Sequence, residues 1–424
     1  MDLEGIARRI ISNNGNVKEK IKEFINFYKK DNQIYSEKFI DALLVEVRNS
    51  LKANSMVFTY PNTGLRAGEV GLGSRGVGDN VIHEALFRIS NRNLDTFDDA
   101  GFKENVVVSI DGIHSRLSYF PYLAGFHATK ATLRDIMVKG AEPLGVLVDI
   151  HLSDDSDIGM LLDFEAGVST VTDALGISIL AGSTLRIGGD LVIGERISGA
   201  VGSVGIVRGK FLSRSNIELG DKIVMTEGNG GGTITTTAIY NGMPEIVLET
   251  ISIKELIACK TLLRIKNKIN SMTDVTNGGI RLDALEIQKI KKYSLIIDEE
   301  KFLSLINPKV RKMLDELNID PYGISIDSIL IFTKNEKEVL QLLESNGIRA
   351  AVIGEVTEFK DAPILLSNGK PLQPRFRESP YTPIKKVIGN YSPYSLEEIR
   401  DRLENGVKYV INKKMEILKN LKGG

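Results

Sequence analysis

One cysteine, Cys259, stands among 424 residues, and there is no tryptophan. A lone thiol excludes an internal disulfide and a cysteine-rich zinc site. No apolar run approaches the roughly 18 residues that a membrane span needs. Neither sign of charge dominates, since 54 Lys+Arg oppose 55 Asp+Glu for a formal net charge of −1. That balance gives no broad electrostatic footprint for nucleic acid or an anionic membrane. The four histidines, His83, His114, His127 and His151, lack metal-binding spacing, which disfavours zinc. Met1-Asp2-Leu3-Glu4 has neither the basic nor the apolar region of a signal peptide, so a cytoplasmic protein is expected.

What is present is ordinary globular composition, 42% hydrophobic and 26% charged. At roughly 100–200 residues per domain the length suggests two to three domains. Residues 1–60 read as helices without a chemical motif. Val17–Lys30 puts Val17, Ile21, Phe24, Ile25 and Tyr28 on one stripe, and Ser36–Lys52 repeats the style. A glycine-dense stretch runs from Gly64 to Gly78. After it come a helical piece at Val81–Ile89, an acidic turn near Asp95–Asp99 and a strand at Val106–Ile110. A helix over Ala124–Lys139 is closed by Gly140, and Leu144–Ile150 reads as a buried strand. Asp154, Asp155 and Asp157 read as the solvated start of a helix that Gly176 ends. Strands follow at Ile177–Leu180 and Ala200–Val207.

A second unit starts near Phe211. Strands are expected at Asp221–Thr226, Ser294–Ile297, Ser328–Phe332 and Ala350–Ile353, with helices from Thr233, over Lys254–Lys268 and over Glu336–Ser345. An Asn368-Gly369 hairpin turn and a long helix over Ser395–Leu421 close the chain. The fold class is thus α/β (or α+β). The expected segments are 1–60, a helical extension; 61–210 and 211–360, the main domains; and 361–424, a hairpin and helix.

Gly71-Leu72-Gly73-Ser74-Arg75-Gly76 matches G-x-G-x-x-G, but no strand ends at its first glycine, so a dinucleotide site is disfavoured. A mobile loop whose N–H groups approach phosphates fits better. Gly228–Gly232 follows a strand and precedes a helix, which suits an anion; a ligand-free turn is the alternative. Asp79, Asp111, Asp135 and Asp274 each lie at an element end or in an apolar context. Singly, each reads as a cap or turn residue. Gathered together, they are hard oxygen ligands suited to Mg²⁺ carried by a nucleotide. His114, three residues after Asp111, is the histidine placed nearest to chemistry, with a structural role equally open.

These segments, in this order, resemble the aminoimidazole ribonucleotide synthetase superfamily. That superfamily includes formylglycinamide ribonucleotide amidotransferase, thiamine-monophosphate kinase, selenophosphate synthetase and the hydrogenase-maturation carbamoyl dehydratase. Gly76-Val77-Gly78-Asp79-Asn80 and Ser109-Ile110-Asp111-Gly112 are similar to two of its stretches. Leu133-Arg134-Asp135-Ile136 with Lys139-Gly140-Ala141-Glu142-Pro143 is the most specific match. Arg214 through Gly220-Asp221, Asp274-Val275-Thr276-Asn277-Gly278-Gly279 and Gly347-Ile348…Ile353-Gly354 complete the resemblance over about 64–360.

The resemblance implies an N-terminal ATP-binding domain that pairs across a homodimer to close a β-barrel, followed by an α/β domain. It implies ATP and Mg²⁺ as cofactors and phosphoryl transfer to a small acceptor. Asp79, Asp111, Asp135 and Asp274 would hold metal. Gly76, Gly78, Ser109, Arg134, Thr184 and Arg214 would contact the nucleotide, and His114 and Arg134 would serve catalysis. Gly230, Gly231, Gly232 and Thr233 would receive the acceptor. Two departures stand out, Ser183 where relatives carry an acid and Asn277 for a frequent aspartate. They keep open a catalytically weakened nucleotide-binding homologue with a regulatory or scaffolding role. Neither nucleic acid nor membrane is an expected partner.

Overall fold

A computed structural model describes residues 1–12, 17–30, 32, 34–90, 98–378 and 380–422. The first sheet contains β1 (Gly101–Lys103), β2 (Val106–Gly112), β3 (Ala141–Leu152), β4 (Ser178–Arg186) and β5 (Ile197–Val207), in the order β1-β2-β5-β3-β4. Only β3 and β4 are parallel. Their crossover is the Gly159–Leu175 helix, and Gly176 ends it at φ 68°, a conformation that favours glycine.

One face of this sheet is covered by the Pro121–Val138 helix. Pro121 starts that helix, and Leu133, Ile136 and Met137 are buried in the core beneath it. It meets the Gly159–Leu175 helix backbone to backbone. A Cβ at Gly125 would lie 2.2 Å from the Phe164 carbonyl oxygen, and one at Gly167 would lie 2.1 Å from that of Tyr122. The other face stays open. Strand alternation buries Val107 fully while leaving Val108 and Ile110 45% and 72% exposed, and Leu147 and Leu180 are exposed as well.

The second sheet contains β6 (Lys222–Thr226), β7 (Ser271–Val275), β8 (Tyr293–Ile297), β9 (Ser328–Thr333), β10 (Ala350–Glu358) and β11 (Ile364–Leu366), in the order β11-β8-β10-β6-β9-β7. Helices cover both faces, so β7 and β9 are buried along their whole length. Val224 shares a core with Leu256, Cys259 and Val339, and with Leu133 and Ile136 of the first domain. Ile223 and Met225 face Ile234, Ile280 and Val310 instead. The Pro121–Val138 helix therefore packs on both sheets and carries Arg134 and Asp135 into the seam between them.

The N-terminal helices, Leu3–Ser12, Val17–Tyr28 and Glu37–Ser50, build a separate small core with Ile193. Here the expected solvated acidic run is corrected. Asp157 does accept from the Gly159 amide (2.7 Å), as a helix start should. Asp154 and Asp155, however, pair with the buried Lys29 ammonium at 2.5 and 2.6 Å, and Asp154 also accepts from Tyr35 (2.6 Å). The expected single helix over Lys254–Lys268 stops at Leu262 and continues as a tighter turn kinked at Ile265. Of the expected acidic turn, Asp95 lies outside the described residues. The C-terminal helix, Leu396–Lys422, packs through Ile399 on Val70 and Val81. Among the described residues no helix is long and apolar enough to cross a membrane.

Candidate functional site

A cavity of about 600 Å³ opens where the two sheets meet. Strand β2 ends there and delivers Ser109, Asp111 and then His114; the Pro121–Val138 helix delivers Arg134 and Asp135. Strand β7 supplies Asp274, and the start of the Gly232–Tyr240 helix supplies Gly232 and Thr233. Arg214 lines it as well. Nine of the residues expected from sequence thus share one hollow.

Their partners differ. Arg134 is held by Asp274 through Nε and by Asp327 through Nη1 (2.8 Å), all three essentially buried. Lys130, one turn earlier, pairs with Glu255 (2.7 Å) and Asp327 (3.1 Å). Burial works against ionising Asp327, but Arg134 and Lys130 outweigh it and hold its carboxyl below the usual range. Arg214 is likewise occupied. It pairs with Asp99, with Glu286 (2.9 Å) and with the Thr273 hydroxyl (2.8 Å). Lys139 joins the same knot through Asp98 (2.5 Å) and Asp99 (2.9 Å). The expected phosphate contacts of Arg134 and Arg214 are therefore spent inside the protein.

Asp111 is different. Among the described residues it makes no hydrogen bond or direct ion pair, and burial, with the neighbouring Asp274 charge, pushes it up to about 6. Asp135 accepts from Ser109 Oγ (2.6 Å), yet burial and then Asp111 raise it well above the usual carboxylate range. Two carboxylates that resist ionisation side by side make a site for a hard cation. Among the described residues no three metal-binding side chains converge closely enough to ligate one ion. Mg²⁺ does not need such a cage, because it keeps waters and takes one or two carboxylates plus substrate phosphates. The donor set fits that mode of binding.

Several expected residues take other work. Asp79 is 2% exposed and does not line the cavity; its oxygens accept from the amides of Gly73 (3.0 Å) and Arg75 (3.2 Å), stapling the glycine loop. Gly76 and Gly78 serve close packing. A Cβ at Gly76 would lie 2.4 Å from the Phe376 carbonyl oxygen, and the Gly78 amide donates to that same oxygen (3.3 Å). Thr184 is exposed on the edge strand β4. Its neighbour Ser183 lines a different hollow, of about 660 Å³, on the open face of the first sheet. The amide of Gly230 is bonded to the Ile326 carbonyl (2.9 Å), and Gly231 lies against the Asp327 carboxylate. Of that loop, only Gly232 and Thr233 reach the cavity.

The sequence reading missed Arg75, which lines the cavity without a direct ion pair among the described residues; its Nε donates to the Asn277 carbonyl (3.4 Å). It also missed Asp327 and Glu255, which balance Arg134 and Lys130. Asp327 holds a left-handed φ of 55°, uncommon outside glycine and more frequent in Asp and Asn, and that tolerance of Asp was the available signal.

This two-sheet architecture is shared with known proteins. The chain belongs to the AIR synthase related proteins: the N-terminal domain of that family matches residues 97–207 and the C-terminal domain 218–364. An uncharacterized protein of Methanocaldococcus jannaschii is 42% identical over 100% of this chain and 99% of its own length. The selenide, water dikinase of Myxococcus xanthus is 29% identical over 43% of this chain and 51% of its own length. Among solved structures, AaThiL complexed with AMPPCP and TMP superimposes with a TM-score of 0.56 at 17% identity, covering 74% of this chain and 98% of that one. Hydrogenase maturation protein HypE in complex with ATP gives 0.54 at 17% identity, covering 78% and 99%.

Proposed function

We propose that this chain is an ATP- and Mg²⁺-dependent phosphotransferase that activates a small acceptor. The observation that carries the reading is the unpaired, ionisation-resistant Asp111 beside Asp135 in a cavity open to both domains. Relatives with ATP or an ATP analogue bound, and the dikinase name, support the nucleotide. Asp111 and Asp135 would hold Mg²⁺, which neutralises phosphate charge in phosphoryl transfer. The chain's own groups would do the rest. Arg75, which has no carboxylate at ion-pair distance among the described residues, would meet phosphate oxygens. The amides of Gly232 and Thr233, at a helix start, would face an anionic group of the acceptor. Asp79, by stapling the loop, would hold Arg75 in place.

The open apolar face of β2, β3 and β4 supports a homodimer closed through the first sheet, and we place the protein in the cytoplasm. Domain limits near 60, 210 and 360 follow the expected segments. A single-turnover assay with ATP and Mg²⁺ across a panel of acceptors tests the reading; ADP must form with at least one of them. Ser183, on an edge strand at a position where the resemblance implies an acid, favours a second reading, a nucleotide-binding homologue that has lost turnover. Binding without ADP formation across the panel would select it.

A further inference from the structure

The C-terminal family match ends at residue 364, yet the chain beyond it returns to the cavity, where Tyr381 and Lys385 form part of the lining. Asn241, just after the Gly232–Tyr240 helix, donates to the Tyr381 carbonyl (3.1 Å) and anchors the segment. The Thr382 hydroxyl caps the short Pro383–Ile388 helix by accepting from the Lys385 amide (3.3 Å).

The side chains form a directed chain of hydrogen bonds. The Lys385 ammonium donates to Tyr381 Oη (2.7 Å) and stands 4.0 Å from that ring's centroid. Tyr381 Oη is 3.0 Å from His114 Nε2, and His114 Nδ1 is 3.2 Å from Thr236 Oγ1. An ammonium has only donors, so Tyr381 accepts from it and passes its own hydrogen to Nε2, leaving Nδ1–H to meet Thr236. Burial, with Lys385 and Arg116 nearby, pushes His114 down to about 4 and keeps it neutral, as this order requires. Both ring nitrogens of His114 are thereby committed, which removes it as a free base.

The ammonium is not committed. Of its three N–H groups one is used, and among the described residues no carboxylate pairs with it. Asp111, Asp135 and Asp274 share the cavity with Arg75, Arg134 and Arg214, whereas Lys385 enters it through Tyr381 and His114, on the side of the helix start, where a Cβ at Gly232 would lie 3.6 Å from His114 Cβ.

We propose that Lys385 is an acceptor-binding residue, its ammonium receiving an oxyanionic group, phosphate or carboxylate, that the acceptor carries. Tyr381 is a positioning residue that fixes Lys385 relative to His114. The proposal rests on the phosphotransfer reading and deepens it, because it assigns one wall of the cavity to the acceptor. The charged and titratable groups around Lys385 are Tyr381, His114, Arg116 and Arg377. Burial, then Arg116 and Arg377, push Lys385 down to about 8. Anion binding should therefore weaken as pH rises through that value.

The test follows thermal unfolding of the full chain with sulfate and, separately, acetate, each with and without a nonhydrolysable ATP analogue and Mg²⁺. Near neutral pH the native protein should gain stability at roughly tenfold lower anion concentration than Lys385→Met. At about pH 9.5, well past half-deprotonation of this lysine, the native gain should vanish while Lys385→Arg keeps it. Response to sulfate alone marks a phosphate-bearing acceptor, and response to acetate alone a carboxylate. An unchanged nucleotide response in Lys385→Met shows that the variant is folded. Equal anion gains in native and Lys385→Met protein, or a native gain indifferent to pH, overturn the proposal. An anion gain that depends on Lys385, without any nucleotide response in the native protein, would leave this subsite standing and remove the phosphotransfer reading instead.

Discussion

Asp99 and Asp111 line the same cavity and lean in opposite directions. Burial opposes the charge of Asp99, but Arg214 and Lys139, with the Thr273 hydroxyl, hold its carboxyl below the ordinary value. Asp111 meets the same burial with no direct side-chain partner among the described residues and is pushed up to about 6. Identical side chains in one hollow thus divide into a fastened acid and a waiting one. Burial alone does not mark a functional carboxylate; the missing partner does.

Breaking the fastened corner should have the largest effect. Arg214→Met leaves Glu286 buried without its cation and Asp99 with Lys139 alone, and denaturant unfolding should record a loss of about 3–5 kcal/mol. A loss under about 1 kcal/mol would mean that the knot is slack. Altering the waiting corner should act on ligand more than on fold. Native protein at 100 times the dissociation constant of Mg²⁺–nucleotide should gain about 2.7 kcal/mol, and Asp111→Asn should abolish that gain in a thermal-shift titration. Retention of the full gain would remove Asp111 from the metal site.

Without ligand, the same Asp111→Asn change should stabilise the protein near neutral pH, on the order of 1 kcal/mol in chemical denaturation, because a strained charge is gone. The smallest effect is a slope. Asp111 titrates near 3.9 in the unfolded chain and at about 6 when folded, so the folded state binds the extra proton between those values. Stability without ligand should therefore fall as pH rises across that window. Asp111→Asn should make this part of the profile less steep, and an unchanged slope would assign it to the other buried acids held high, Asp135, Asp283 and Glu378 among them.

The fold was legible where local chemistry decided it. The Gly176 stop and the apolar face of Leu133, Ile136 and Met137 sit as expected within longer elements, whereas the Leu144–Ile150 run is a strand as expected but buried on one face only, with Leu144 and Leu147 exposed on the open side of the sheet. Asp111, Asp135 and Asp274 meet in one cavity as the sequence motifs suggested. What was not legible depends on partners distant in sequence. Nothing around Asp154 announces Lys29, 125 residues away, and nothing around Arg134 announces Asp274, 140 residues on. Tyr381 and Lys385 lie in a segment with no motif, and only folding carries them to His114.

The carbonyls of Arg375 and Phe376 accept the amides of Val77 and Gly78, and Arg377 grips the backbone of Gly68 and Glu69. The loop that presents Arg75 is thus anchored by a segment synthesised some 300 residues later. These holds cannot form until residues near 377 have left the ribosome, so a polypeptide truncated before them should leave the Arg75 loop without that anchor however well its earlier parts had folded.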